Sequence, residues 1–304
     1  MNILITGITG YIGSRLAPRL LREGHAVRGL SRHPGDAGAE VPVLEGDAVS
    51  GAGLDRALDG VDVAYYLIHS MEPSPDGPFA ARERAGAENF AAAARAAGTK
   101  RIVYLGGLIP AGGPASPHLA SRLEVERILL EATPCSTALR ASIVIGAGSR
   151  SFRFLVRLVE RLPVLAVPAW RTHRTTPIDE RDMIELLAHA ATNDQICGQS
   201  LDAGGPEVVT YGELIDRIRD EMLLARPTIG LKWLTVTPIA SRIAAVIAGE
   251  DHELVGPLME SLGEDLLASD DRAAELFGVR LHSLDSAIEH ALREWEATEP
   301  LAAR

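Results

Sequence analysis

Three glycines near the start of the chain have the spacing of a phosphate-binding turn. Gly7, Gly10 and Gly13 follow a short apolar run, residues 2–6, and precede a helical stretch. Gly7 permits a sharp turn, Gly10 lets the backbone approach a pyrophosphate, and Gly13 lets helix and strand pack closely. A pyrophosphate is stabilised there by the amide N–H groups at the start of the helix. The strand–turn–helix context therefore predicts a dinucleotide-binding site.

The end of the second predicted strand carries the residues that would select the coenzyme. Ser31 and Arg32 follow an apolar run over residues 25–30. At this point of a dinucleotide-binding fold an acidic residue binds the ribose 2′-hydroxyl, whereas an arginine accommodates a 2′-phosphate. Arg32 therefore favours NADP(H) over NAD(H), with a solvated loop arginine as the alternative. Asp47, after the third predicted strand, could accept from the adenine amino group or simply cap the next turn.

His118 and Arg122 lie four residues apart at the start of a predicted helix, so they share a face. Ser116 is a suitable N-cap and Pro117 a suitable first helical residue. The helix dipole disfavours imidazolium there, so we expect a mainly neutral histidine, which can donate an N–H to a developing oxyanion. Arg122 is permanently charged and can bind a ribose or an oxyanion. A surface histidine beside a structural arginine is the alternative, and His69 is a second candidate.

The predicted elements that position these residues alternate between strand and helix. With helices between them, buried strands are predicted over residues 2–6, 25–30, 41–45, 61–69, 101–105 and 138–145. This order predicts an α/β fold, a Rossmann doubly wound parallel sheet. The last third is mainly helical and predicts a smaller C-terminal substrate-binding cap. The predicted division assigns residues 1–150 and 175–203 to an NAD(P)-binding Rossmann domain, and residues 151–174 and 204–304 to the cap.

Composition excludes several classes of function. The net charge of −11 argues against a nucleic-acid binder. No run of about 18 apolar residues exists to cross a bilayer, and a strand that begins at residue 2 leaves no room for a signal peptide. Cys135 and Cys197 form no metal-binding spacing, and we expect them to be thiols in a reducing compartment, which places the protein in the cytoplasm. The expected partner is a small-molecule substrate, and a homodimer is left open.

The chain resembles the extended or atypical short-chain dehydrogenase/reductases, and it is similar to their NmrA-like NAD(P)-binding branch. The resemblance covers nearly the whole chain and rests on the stretches TGITGYIG, LEGDA, VDVAYYLIHSM, AENFAAAARAAGTKRIVYLGGL, SPHLASRLEVERIL, LRASIVIGAGS and TYGEL. It implies coenzyme contacts at the pyrophosphate, the adenosine and the ribose, from Gly7, Thr9, Gly10, Tyr11, Ile12, Gly13, Arg32, Asp47, Ala48, Leu67, Ile68 and His69. To the same site we add Ser31, Gly106, Gly107 and Arg122.

One departure from the family pattern concerns the proton donor. Members carry a Tyr-xxx-Lys pair at the start of the helix after strand five, where this chain has His118 and Arg122. The usual serine after strand five is also missing, and Gly106 and Gly107 stand there. The family's standard acid is therefore absent, and membership alone does not supply the activity.

The leading hypothesis is an NADP(H)-dependent oxidoreductase that acts on a carbonyl, enone or quinone-like small molecule, with His118 and Arg122 replacing the usual pair. NAD(H) stays open as the coenzyme. The alternative is a catalytically silent NAD(P)-binding sensor or assembly protein, which the missing Tyr and Lys favour. A sugar-nucleotide epimerase ranks third, because that chemistry usually relies on the same absent tyrosine.

Overall fold

A seven-stranded parallel sheet forms the centre of the protein. The computed structural model describes residues 1–36, 41–68, 79–114, 116–162, 164–167, 169–230, 262–299 and 301. The sheet strands are, in chain order, β1 (Asn2–Thr6), β2 (Ala26–Ser31), β3 (Val43–Glu45), β4 (Val63–Tyr66), β5 (Arg101–Gly107), β6 (Thr137–Ala141) and β7 (Ser200–Ala203). Their spatial order is β7-β6-β5-β4-β1-β2-β3. The strand order therefore reverses between β1 and β4, where open α/β sheets bind ligands.

Helices connect and cover the strands. They are α1 (Tyr11–Arg22), α2 (Leu54–Leu58), α3 (Phe79–Ala96), α4 (Pro117–Leu130), α5 (Arg150–Arg161), α6 (Glu180–Ala190), α7 (Tyr211–Glu221), α8 (Arg272–Phe277) and α9 (Leu284–Glu296). Short strands outside the main sheet pair two by two, and they cover Val144–Ile145, Leu165–Val167, Arg174–Thr175, Ile178–Asp179, Val209–Thr210 and Thr228–Gly230. None of the described helices combines the length and the apolar composition that crossing a bilayer requires.

The apolar residues form three large clusters. One lies between the sheet and α1 and α6, and a second lies between the sheet and α2, α3 and α4. The alternating strand side chains divide between these two faces, as a doubly wound sheet requires. The third cluster joins α5, α7 and α9, and includes the fully buried Trp295. The last third of the chain therefore contributes to an apolar core of its own.

Thr6 joins β1 to β4 at the point where the strand order reverses. Its hydroxyl donates to the Tyr65 carbonyl over 3.0 Å and accepts from the Leu67 N–H over 3.2 Å. Thr6 pairs with Tyr66, the last residue of β4, so the segments that follow β1 and β4 begin next to each other. The first glycine of the turn thus emerges beside Leu67.

The α/β doubly wound fold is confirmed, and several element bounds differ from the prediction. The strand predicted over residues 138–145 ends at Ala141, and a separate strand, Val144–Ile145, pairs elsewhere. The strand predicted over residues 61–69 covers only Val63–Tyr66. Residues 231–261, part of the last third that the sequence predicts to be mainly helical, lie outside the described residues. The division into a Rossmann domain and a cap stays a prediction.

The prediction of two free thiols was wrong, because Cys135 and Cys197 form a disulfide with their Cα atoms 4.2 Å apart. Cys135 lies two residues before β6 and Cys197 three residues before β7, and these strands are neighbours in the sheet. The parallel arrangement brings their N-terminal ends together across a sequence separation of 62 residues. Spacing along the chain gave no sign of this pairing.

Candidate active site

The turn after β1 has the geometry that a bound pyrophosphate needs. Gly7 has a φ of +70°, which side-chain-bearing residues rarely adopt. Gly10 donates its N–H to the Gly7 carbonyl over 2.9 Å, and a Cβ at Gly13 would overlap that carbonyl. The first N–H groups of α1 have no acceptor within the helix and lie at this turn. Thr9 and Gly10 are exposed, so the turn is open to a ligand. These features fit a dinucleotide phosphate.

The side chain of Tyr11 points away from this turn toward α6. Its hydroxyl contacts the Glu180 carboxylate, and the Arg15 guanidinium lies 4.3 Å from the centre of its ring. Gly146 and Gly148 leave the space that the Tyr11 side chain occupies, because a Cβ at either position would overlap it. Tyr11 can therefore offer a coenzyme its backbone, as can its half-buried neighbour Ile12.

An open pocket lies beyond the ends of β2 and β3, on the predicted adenosine side. Its lining residues are Arg32, Glu45, Gly46, Asp47, Ala52, Gly53, Asp55 and Arg56. Asp47 accepts from the N–H groups of Val49 and Ser50 over 3.1 and 3.3 Å, so the capping role is present. The Ser31 hydroxyl accepts from the His33 N–H over 3.1 Å. The structure thus brings Arg32 and Asp47 together, next to the buried Ala48.

Arg56 is a pocket residue that the sequence reasoning missed. It lies on α2. The sequence does contain a feature that could have predicted it: the connection between β3 and α2 is short, and it keeps α2 close to the end of β3. The Asp47 N–H donates to the Ala52 carbonyl over 2.9 Å and closes this connection.

The predicted ribose side lies at the end of β4. A Cβ on Gly7 would lie 2.8 Å from the Leu67 carbonyl oxygen, so the two connections are in close contact. Leu67 and Ile68 are half-buried beside the turn. His69 lies outside the described residues, and its assignment stays a prediction.

Arg122 lies against the end of β5. Its Nη2 donates to the Leu105 carbonyl over 3.2 Å, and a Cβ on Gly107 would lie 3.4 Å from its Nε. Gly106 and Gly107 belong to β5, where we had expected them to follow it. The missing side chain at Gly107 therefore makes room for the guanidinium. Because β5 is hydrogen-bonded to β4 in parallel, this charge lies at the C-terminal ends of the strands, as the glycine turn does.

His118 begins the same helix one turn earlier. The predicted cap is confirmed, since the Ser116 hydroxyl accepts from the Leu119 N–H over 3.2 Å. Burial, and secondarily the charge of Arg122, lowers the pKa of His118 from 6.5 to about 4. The imidazole is therefore neutral, as expected, but burial is the main cause where the sequence had suggested the helix dipole. Its Nδ1 is buried and makes no hydrogen bond to any described residue, so its hydrogen-bonding capacity is not used within that part of the chain.

A small apolar cluster adjoins this histidine. It consists of Leu108, Leu119 and Leu266, all at least nine-tenths buried. Leu266 comes from the last third of the chain, and its N–H donates to the Arg174 carbonyl over 2.8 Å. The C-terminal part therefore reaches the helix that carries His118. No sequence pattern distinguished Leu266 from other apolar residues.

Two tyrosines on the central strands β4 and β5 are core residues. Tyr66 and Tyr104 are 3% and 1% exposed. Burial raises the pKa of Tyr104 to about 12 and raises that of Tyr66 further. Neither phenol is suited to replace the family's tyrosine acid at neutral pH.

Comparison with known proteins agrees with this geometry. A family model described as NAD(P)H-binding matches residues 7–142, from the first glycine of the turn to the end of β6. The chain is 30% identical over 235 residues to (4-alkanoyl-5-oxo-2,5-dihydrofuran-3-yl)methyl phosphate reductase of Streptomyces griseus, and this match covers 74% of each protein. It is also 30% identical over 189 residues to ceramide reductase of Caulobacter vibrioides, covering 61% of this chain and 59% of that protein. The chain thus spans less than two thirds of the latter relative.

Solved structures share the fold over nearly the whole chain. Triphenylmethane reductase from Citrobacter sp., complexed with NADP(H), superposes with a TM-score of 0.75 at 18% identity, over 96% of this chain and all of that one. UDP-glucuronic acid 4-epimerase from Bacillus cereus, in complex with UDP-glucuronic acid and NAD, gives 0.73 at 17% identity, over 98% of this chain and all of that one. At these identities the likeness establishes the fold.

Proposed function

The chain belongs to the atypical short-chain dehydrogenase/reductases, in their NmrA-like NAD(P)-binding branch, and on this premise we propose an NADP(H)-dependent oxidoreductase that acts on a carbonyl, enone or quinone-like small molecule. The observation that carries the proposal is the pair His118 and Arg122 at the end of β5. A neutral imidazole whose Nδ1 has no partner among the described residues and a fixed guanidinium are both suited to stabilise a developing oxyanion.

The glycine turn would hold the pyrophosphate of the coenzyme, and Arg32 would hold the 2′-phosphate. A bound NADP(H) supplies hydride exchange at its nicotinamide ring. Arg122 would contact the ribose or the substrate oxygen, because its permanent charge and planar donors suit either group. His118 would donate an N–H to the substrate oxygen without giving up a net proton. The proton that completes an alcohol would then come from solvent.

The names of the two curated relatives support a reductase, because each describes the reduction of a small molecule. We also keep the division into two units as a proposal, with residues 151–174 and 204–304 forming a substrate-binding cap. The separate apolar core of α5, α7 and α9 supports this division, and so does the contact of Leu266 with the helix of His118.

The test measures NADPH consumption at 340 nm with a panel of ketones, enones and quinones, beside direct binding of NADPH and NADH by calorimetry. We expect turnover with at least one acceptor class and tighter binding of NADPH. The variants His118→Ala and Arg122→Ala should each lower kcat, by about 10²-fold for the loss of one oxyanion donor, with a much smaller effect on the Kd of NADPH. Arg127→Ala, an exposed arginine on the same helix, is the matched control.

A catalytically silent nucleotide-binding protein is the second candidate. The absence of the Tyr-xxx-Lys pair favours it, together with the burial of the two nearby tyrosines. Tight NADPH binding without turnover of any acceptor would support this candidate against the reductase. Conversion of a nucleotide sugar without net coenzyme consumption would instead support an epimerase.

A further inference from the structure

The disulfide between Cys135 and Cys197 lies at the N-terminal ends of the parallel strands, whereas the glycine turn lies at their C-terminal ends. The two cysteines precede the parallel strands β6 and β7, while the turn follows the end of β1. Both residues are half-buried, so each keeps some exposure to solvent. No part of the proposed active site includes them.

Arg101 is held beside the two sulfur atoms. It is the first residue of β5 and is only 4% exposed. Its Nη1 donates to the Ala190 carbonyl over 2.8 Å, which fixes the guanidinium. Its Nη2 lies 2.8 Å from the Sγ of Cys135 and 3.8 Å from the Sγ of Cys197. A buried cation at this distance favours a thiolate over a thiol, and favours it more at Cys135 than at Cys197.

Asp194 opposes this effect. Its carboxylate accepts from Arg101 Nη2 over 2.6 Å, and its side chain is 89% exposed. A solvent-exposed carboxylate neutralises a buried cation only weakly. The guanidinium therefore keeps most of its influence on the nearer sulfur.

We propose that Cys135 and Cys197 form a reversible dithiol–disulfide modification site, in which Cys135 reacts first and Cys197 resolves. In the oxidising direction the Cys135 thiolate attacks a small-molecule disulfide, forms a mixed disulfide and releases one thiolate. The Cys197 thiolate then attacks the Cys135 sulfur and releases the second. The protein dithiol loses two electrons and two protons, and the small disulfide becomes two thiols. A dithiol reductant reverses both steps.

A metal site is the competing assignment for the same atoms. Ligand atoms of Cys135, Asp194 and Cys197 lie within 4.8 Å of one another. The Arg101 guanidinium contacts all three residues, however, and a fixed positive charge among the ligands disfavours a divalent cation. The charge arrangement therefore favours redox exchange over metal binding.

The experiment uses the full chain, reduced with dithiothreitol, desalted and then exposed to oxidised glutathione. Free thiols are counted with Ellman's reagent, and the intact mass is recorded. We expect two thiols before oxidation, none afterwards, and a mass loss of two hydrogens. The Cys197→Ser variant should stop at the glutathione adduct, and Cys135→Ser should react on the order of 10-fold more slowly than Cys197→Ser.

The charge variants test the role assigned to Arg101. Asp194→Asn, at an exposed position that should not disturb folding, should raise the rate of adduct formation at pH 7 by no more than about 3-fold, because the exposed carboxylate neutralises Arg101 only weakly. Arg101→Gln should lower it by about 10-fold, and thermal melting checks that this variant is folded. Asp216→Asn on α7 serves as the control for a charge change elsewhere.

Two results would overturn the proposal. The first is a reduced protein that keeps both thiols after prolonged exposure to excess oxidised glutathione. The second is stoichiometric binding of Zn²⁺ by the reduced protein, measured with the metal alone, with protection of both thiols. An Arg101→Gln rate equal to that of the wild type would remove Arg101 from the mechanism and would also contradict the order of reaction.

Discussion

Gly107 ends β5 in contact with the side chain of Arg122, so that a Cβ at residue 107 would lie 3.4 Å from Arg122 Nε and 3.6 Å from Leu119 Cδ2. A methyl group at these distances is in tight but ordinary contact, whereas a larger side chain must displace the guanidinium. The position of the Arg122 charge at the C-terminal end of β5 therefore depends on the absence of a side chain at residue 107.

Gly107→Val should consequently reduce activity through Arg122. We expect kcat to fall by about 10-fold or more, because the branched side chain would shift the guanidinium away from the Leu105 carbonyl. The measurement is steady-state NADPH oxidation with the best acceptor, beside the melting temperature. Gly112→Val is the control, since no atom of the described residues lies near its Cβ position. Equal loss in both variants would contradict the assigned role of the contact.

Gly13→Ala should weaken coenzyme binding strongly. The new Cβ would overlap the Gly7 carbonyl, so the turn must open and the first N–H groups of α1 must move. Overpacking of this kind costs about 1–3 kcal/mol of folding free energy, and we expect the Kd of NADPH to rise by about 100-fold. Calorimetry measures the Kd and thermal melting the stability. The control is Gly35→Ala at an exposed position, where the new Cβ would meet none of the residues that the structure describes, and it should match the wild type. Retained affinity in Gly13→Ala would place the phosphate elsewhere.

The sequence was sufficient for the sheet and the glycine turn because both depend on local patterns. Apolar runs bounded by glycines predicted six of the strands, and the strand–turn–helix context predicted the positive φ at Gly7 and the close packing at Gly13. The N-cap at Ser116 was equally local. These features are determined by residues within a few positions of one another.

Features that depend on distant segments were not predicted. The disulfide of Cys135 and Cys197 requires knowledge of which strands are neighbours. The same holds for Leu266, which reaches α4 from the end of the chain. The cause of the lowered pKa of His118 was also missed, since burial cannot be read from the helix start alone.

The choice of coenzyme can be tested at Arg32. Arg32→Asp should weaken NADPH binding by at least about 10-fold and change NADH binding little, because a carboxylate repels a 2′-phosphate and accepts from a 2′-hydroxyl. Both dissociation constants are measured by calorimetry. Arg22→Asp, the same charge change at the exposed end of α1, controls for net charge. An equal loss of affinity for NADPH and NADH would show that Arg32 stabilises the structure of the pocket and does not select the coenzyme.

The half-buried imidazole of His118 should make the protein less stable in acid. The pKa is about 4 in the folded chain and near 6.5 when exposed, so between these values the unfolded state binds more protons. The stabilisation is complete above pH 6.5 and is lost as the pH falls toward 4, with an upper limit of about 3 kcal/mol. His118→Gln carries no titrating group and should therefore lose less stability than the wild type between pH 7 and pH 4.5. Urea denaturation at each pH gives the free energy of unfolding, with the exposed His33→Gln as the control. If the wild type and His118→Gln decline in parallel, the imidazole keeps its ordinary pKa in the folded protein, and the assignment of a lowered pKa to burial is wrong.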